Sequence, residues 1–183
     1  MNIVVAITGA TGAIYGVKLL RALKALNVTT HLVISKWGEK TLALETDYSL
    51  EQLKKFADFY YDNDDLGAAI SSGSFKTSGM VVVPCSMKTL AGISCGLSTN
   101  LIQRVADVMI KEKRKLILVT RETPLSPIHL ENMLKLSKIG VVIMPPMPGF
   151  YSLPETIDEI VSQHVGRILD SLDIEHEFIK RWK

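Results

Sequence analysis

Thr8-Gly9-Ala10-Thr11-Gly12-Ala13 is the stretch of this sequence best suited to holding an anion. It closes an apolar run, Ile3-Val4-Val5-Ala6-Ile7, and opens a segment in which Ile14, Val17, Leu20, Leu23 and Leu26 recur at helical spacing. Strand, glycine-rich turn and helix together aim backbone N–H groups and the positive end of a helix at an anion, commonly a phosphate. The alternative is a tight turn that needs glycine only for its backbone angles. Further candidates follow other apolar runs. Ser86-Met87-Lys88-Thr89 stands where a helix should begin, so its hydroxyls either cap that helix or contact a phosphate, with Lys88 as a point charge. Arg121 ends a buried run and either meets an anion or ring edge, or pairs with Glu122. Arg104 and Lys111 are seven residues apart, which returns them to one helix face, roughly 10 Å apart along the axis. With Asp107 between them they form either a surface ion-pair ladder or a second anion site, and spacing alone favours the ladder.

The elements that must position these residues are legible as alternating apolar patterns. Strands are expected at Ile3–Ile7, Thr30–Ile34, Met80–Val83, Leu116–Val119 and Val141–Met144, with Pro84 ending the third. Helices are expected near 13–26, 36–45, 86–95, 100–113, 127–138 and 155–172. Ser126-Pro127 reads as an N-cap with proline at the first helical position, and Gly140 suits the far end of that helix. The segment 46–78 is the least regular: a short helix near 50–57, then Phe59-Tyr60-Tyr61, then a serine- and glycine-rich loop. Strands alternating with helices imply right-handed crossovers. The expected fold is α/β, a single doubly wound and mainly parallel sheet with helices on both faces, spanning 1–183 with 173–183 as a C-terminal tail. Ligands of such sheets lie beyond the carboxyl ends of the strands. Here those ends carry Thr8–Ala13, Ser35-Lys36-Trp37, Pro84–Thr89, Thr120–Pro124 and the proline stretch that ends in Phe150-Tyr151.

Composition bounds the partners. The 183 residues are 47% hydrophobic and 22% charged, with a formal net charge of +2. A chain of that length can bury about 70% of its unfolded-state surface as one domain. The charge is too small for a nucleic-acid footprint, and no basic stripe interleaves with aromatics. Cys85 and Cys95 are the only cysteines and lack metal-ligand spacing with the four histidines, which argues for a reducing compartment. No basic region precedes the first apolar run, and no apolar run approaches membrane-spanning length, so a cytoplasmic protein without a membrane segment is expected. His164, on the apolar stripe of the last helix, reads as a packed, hydrogen-bonded histidine. Arg167, off that stripe, is either solvated or reaches a pocket; Tyr151 is either a pocket lid or packing.

The opening turn does not fit a dinucleotide. Gly9, Gly12 and Gly16 do not have GxGxxG spacing; the TGxxGxxG of extended short-chain dehydrogenases comes closer, but Tyr15 stands where its third glycine should be, and Ser35 follows the second strand in place of a ribose-binding acid. None of the five tyrosines begins a YxxxK pair. A mononucleotide such as FMN fits better.

Seven segments in order, TGATGAIYG (8–16), the Ser35 turn, AISSGSF (69–75), PCSMKTLAGI (84–93), NLIQRVADVMIKEKRKL (100–116), RETPLSPIHLENM (121–133) and PPMPGFY (145–151), make the chain similar to the UbiX flavin prenyltransferases. Within them it most resembles the B-type proteins that accompany phenolic-acid decarboxylases. The resemblance implies a Rossmann- or flavodoxin-like protomer assembled as a dodecamer. It implies metal-independent transfer of a dimethylallyl group from dimethylallyl phosphate to reduced FMN, at N5 and then C6, for use by a UbiD-type decarboxylase. Carried over by motif, Gly9, Ala10, Thr11, Ser35, Ser86, Met87, Lys88, Thr89 and Arg121 would bind FMN. Arg104, Lys111, Tyr151 and Arg167 would bind dimethylallyl phosphate, some across subunits, which turns the expected ladder into a substrate clamp. Glu122 and Glu45 match acidic residues near the reacting flavin, and Thr11 keeps the hydroxyl of a position where many relatives have serine. Two other readings compete. The flavin-dependent cysteine decarboxylases carry PxMNxxMW, which this chain's MPPMPGFY (144–151) lacks. A non-catalytic flavin carrier would not need a second phosphate site.

Overall fold

The computed structural model describes residues 1–182. Its strands are β1 (Asn2–Ile7), β2 (Thr29–Ile34), β3 (Phe59–Asp62), β4 (Gly79–Cys85), β5 (Lys115–Thr120) and β6 (Val142–Ile143). They form one six-stranded sheet in the order β3-β2-β1-β4-β5-β6, parallel throughout. That is the Rossmann order, and the connections change direction between β1 and β4. The helices are α1 (Ala13–Ala25), α2 (Lys36–Glu45), α3 (Leu50–Lys54), α4 (Met87–Ser94), α5 (Leu101–Lys111), α6 (Pro127–Ser137) and α7 (Ile157–Ser171).

Alternation along β1 explains the two cores. Ile3, Val5 and Ile7 join the cluster built with α1 and α7, whereas Val4 and Ala6 join the cluster built with α4 and α5. All five are fully buried. A strand covered on both faces must be apolar at every position, which is why this run shows no polar alternation. Each buried Val or Ile side chain contributes about 1.5–3 kcal/mol.

Helix starts follow local capping chemistry. Ser35, Ser86, Asn100, Ser126 and Thr156 each accept a backbone N–H of the turn that they open, and Pro127 takes the first position of α6. Gly140 lies beyond α6 with φ 90, in the left-handed region that favours glycine.

Three expectations about the strands need correction. Phe59–Asp62 is a sixth strand at the sheet edge; its Phe59, Tyr60 and Asp62 are exposed, so no apolar run announces it. Pro84 does not end β4. The strand continues to Cys85 across a register shift after Val82, because the missing N–H falls where the ladder is already interrupted. β6 is only Val142–Ile143, a short edge limited by the prolines that follow. No helix of the described residues is long and apolar enough to cross a membrane.

Candidate functional site

The ends of β1 and β4 are stitched together by one buried hydroxyl. Thr8 Oγ1 donates to the Pro84 carbonyl at 2.8 Å and accepts from Ser86 N–H at 2.8 Å. This places the Gly9 turn beside the Ser86 loop, at the point where the strand connections diverge. Ser86 opens α4, Ser35 opens α2 and Asn100 opens α5, and all three line a cavity of about 420 Å³ with Gly9, Lys88 and Gln103. Three positive helix ends, several hydroxyls and Lys88 make it suited to a phosphate-bearing ligand. A Cβ on Gly9 would come within 2.4 Å of Trp37 Cβ, so only glycine lets this turn pass the start of α2. These features fit the FMN expected from the sequence.

Not every residue assigned to the flavin touches this cavity. Gly9, Ser35, Ser86, Lys88 and Thr89 line it; Ala10, Thr11, Met87 and Arg121 do not. Thr11 is exposed on the turn, and the Met87 side chain packs on the core. Arg121 is held at the neighbouring strand end, its N–H donating to the Cys85 carbonyl at 3.1 Å. Among the described residues no ion pair joins Arg121 to Glu122; the exposed Glu122 instead accepts from Thr123 N–H at 3.1 Å.

The N-terminus of α1 departs from expectation. Gly12 and Ala13 N–H donate to Glu45 Oε2 at 2.7 and 3.2 Å. An internal carboxylate therefore meets the positive end of this helix, and the helix ends facing the cavity are those of α2, α4 and α5. Glu45, expected near the reacting flavin, is thereby fixed on the N–H groups of Gly12 and Ala13.

The four residues assigned to the prenyl donor fall into two groups. On α5, Arg104 Nη1 pairs with Asp107 at 2.9 Å and its Nε donates to the Ser71 carbonyl at 3.2 Å. Lys111 pairs with Glu112, not Asp107, so only half of the expected ladder forms. On the other side, Tyr151 and Arg167 line a second cavity of about 500 Å³, together with Ile179, Arg181 and Trp182. Within one chain these groups and the β1/β4 cavity remain separate.

Several residues escaped the reading of the sequence. Asn63 accepts Leu101 N–H on its carbonyl at 2.7 Å and Ile102 N–H on Oδ1 at 3.2 Å, anchoring the start of α5 over the cavity. It follows β3, so missing that strand hid its loop. Thr8 was inside the recognised motif, and Gln103, which accepts from the Thr99 hydroxyl at 2.7 Å, gave no signal in its spacing. Burial pushes the Cys85 thiol well above its ordinary range, which leaves it an inert core residue. His164 is packed edge-to-face on Tyr15, as its stripe position implied, but its Nε2 has no partner. Burial alone lowers its pKa to about 4.

Comparison with known proteins agrees with this geometry. The Flavoprotein family model matches residues 1–169. The flavin prenyltransferase LpdB of Lactiplantibacillus plantarum is 56% identical, covering 100% of this chain and 98% of that protein. A crystal structure of AnUbiX in complex with FMN and dimethylallyl pyrophosphate superposes with a TM-score of 0.98 at 53% identity, covering 100% and 97% of the two chains. The dodecameric FMN-dependent UbiX-like decarboxylase from Escherichia coli O157:H7 superposes with a TM-score of 0.98 at 56% identity, covering 100% of both chains. The chain belongs to the Flavoprotein family and, within it, to the UbiX-like flavin prenyltransferases.

Proposed function

We propose that this protein transfers a dimethylallyl group from dimethylallyl phosphate to reduced FMN, and that the prenylated flavin serves a UbiD-type decarboxylase. The observation that carries the reading is the glycine-gated, hydroxyl-lined cavity at the β1/β4 junction, in a chain of this family. Reduced FMN would supply two nucleophilic positions: N5, which displaces the phosphate from its allylic carbon, and C6, which bonds the far alkene carbon as C6 gives up its proton and the neighbouring alkene carbon takes one up. The protein's own groups do the rest. The turn Gly9-Ala10-Thr11, Ser35, Ser86 to Thr89 and Arg121 hold the flavin nucleotide. Arg104, Lys111, Tyr151 and Arg167 hold the donor phosphate and stabilise its negative charge as it leaves with the electron pair of the C–O bond. Their separation within one chain supports a site completed between subunits. Glu122 and Glu45 are the carboxylates assigned to proton movement, and Thr11 offers a hydroxyl on the turn.

The chain acts in this reading as a single flavin domain with 173–183 as its tail, of which Lys183 lies outside the described residues. A homo-oligomer, with the dodecamer as its expected form, is supported by exposed apolar side chains. Ile128, Leu130 and Leu134 of α6 are exposed, as are Leu44, Met147 and Phe150. Leu130 and Leu134 lie one turn apart on α6, and neighbouring exposed apolar side chains of this kind mark interfaces. A cytoplasmic location suits the two unpaired cysteines. The test is phosphate release from dimethylallyl phosphate under anaerobic conditions, with a chelator present. Release that requires reduced FMN is expected; release independent of the flavin, or abolished by the chelator, contradicts the reading.

A further inference from the structure

The tail after α7 folds back onto that helix through one carboxylate. Asp170 Oδ2 accepts from Arg167 Nη1 at 2.9 Å, and Oδ1 accepts from Arg181 Nη2 at 2.8 Å and from His176 Nε2 at 3.1 Å. His176 is fully buried as a side chain, and its Nε2–H also faces the Gly166 carbonyl at 2.9 Å. Its Nδ1 accepts Phe178 N–H at 3.2 Å. One ring nitrogen donates and the other accepts, which is the pattern of a neutral imidazole. Gly166 is what lets the tail lie so close: a Cβ there would come within 2.2 Å of Ile179 Cγ2 and 3.0 Å of His176 Cε1.

The charge balance of this cluster has a consequence for the cavity that Arg167 and Tyr151 share with Arg181. Asp170 alone would neutralise Arg167, leaving no net charge to attract a phosphate. Arg181 restores an excess of one positive charge. Burial raises the Asp170 pKa, but the hydrogen bond from Arg181 and the neighbouring positive charges outweigh it, so the carboxyl sits below its ordinary range. Each guanidinium gives Asp170 only part of its donor fork, and five N–H groups per arginine leave donors for a second anion. Tyr151 completes the set. Its oxygen accepts from Gln163 Nε2 at 2.6 Å, so the phenol hydrogen is free to donate.

We propose that Arg181 is a second guanidinium for the donor phosphate, and that Asp170 is the positioning residue that holds it beside Arg167. The assignment rests on the prenyltransferase reading for the identity of the ligand. It explains why an arginine near the chain end is fixed to a largely buried carboxylate when most of its side chain is in solvent.

The test uses the full-length, FMN-loaded protein and measures dimethylallyl phosphate binding by calorimetry alongside turnover. Arg181→Ala is expected to weaken donor binding about 10- to 100-fold, with FMN affinity and assembly unchanged, and Arg181→Lys to recover part of the loss. Asp170→Asn should raise KM for the donor while leaving kcat within twofold, a split that general loosening of the fold would not give. Donor affinity in Arg181→Ala within twofold of the parent overturns the proposal, and the prenyltransferase reading then stands on the parent's turnover. Arg181-dependent donor binding in a parent that never alkylates the flavin upholds the role of Arg181 and sinks the reaction.

Discussion

In the proposed reading the β1/β4 cavity and the α7 cavity both meet phosphate, by different means. The first uses main chain: helix starts capped by Ser35, Ser86 and Asn100, a glycine turn, and a buried Thr8 hydroxyl joining two strand ends. The second uses side chains on a returning tail, with Asp170 gathering Arg167, His176 and Arg181. Main-chain donors are fixed by the sheet and suit a flavin that must keep one pose while it is alkylated. Long cationic side chains can follow a substrate that arrives charged and leaves as free phosphate. On that reading the rigid site serves the flavin and the adjustable one the donor.

Substitutions can break that division. Arg104→Ala should lower turnover the most, by about 10²- to 10³-fold, with FMN still bound; retention of turnover in a steady-state assay, or loss of flavin on gel filtration, would remove Arg104 from the donor side. Gly9→Val should do the reverse, weakening FMN binding by about 100-fold in a fluorescence-quenching titration, because its side chain would overlap the start of α2. Donor binding at the α7 cavity should be spared.

His164 lies outside both cavities, packing from α7 onto Tyr15 of α1. Its folded-state pKa of about 4 lies below its ordinary 6.5. The unfolded chain therefore takes up the proton first. Stability from this site is fully present above the ordinary value and is lost as pH falls through about 4. The loss is on the order of 3 kcal/mol. Denaturant titrations of His164→Phe, which keeps an aromatic edge-to-face partner for Tyr15, should show a flatter dependence over this window. The smallest effect is expected from Thr8→Val, which strands Ser86 N–H at the strand junction and costs about 2 kcal/mol in urea unfolding. Its flavin affinity should fall with stability, because the same hydroxyl shapes the cavity.

What could be read from the residues follows the same division. β1 is apolar at nearly every position and β5 through its middle because both sheet faces are covered, and Ser35, Ser86 and Ser126 announce their helices by capping chemistry. Local signals suffice there. Phe59–Asp62 offered only its three aromatics, because an exposed edge strand has no need of an aliphatic run, and Asn63 was hidden with it. Glu45 at the start of α1 depends on contacts between residues 32 and 33 positions apart, and Arg181 on Asp170 depends on how a tail folds back. No periodicity encodes either. The family resemblance placed Arg167 and Tyr151 together, but gave no hint of the carboxylate that balances Arg167.

If the two cavities serve one reaction, together they join a flavin to a prenyl unit. The direct measurement is the mass of the flavin after the protein, reduced FMN and dimethylallyl phosphate are incubated without oxygen. The account predicts a flavin enlarged by one five-carbon unit, formed by the parent and not by Arg104→Ala. Recovery of unchanged FMN from parent protein that has bound both ligands would contradict it.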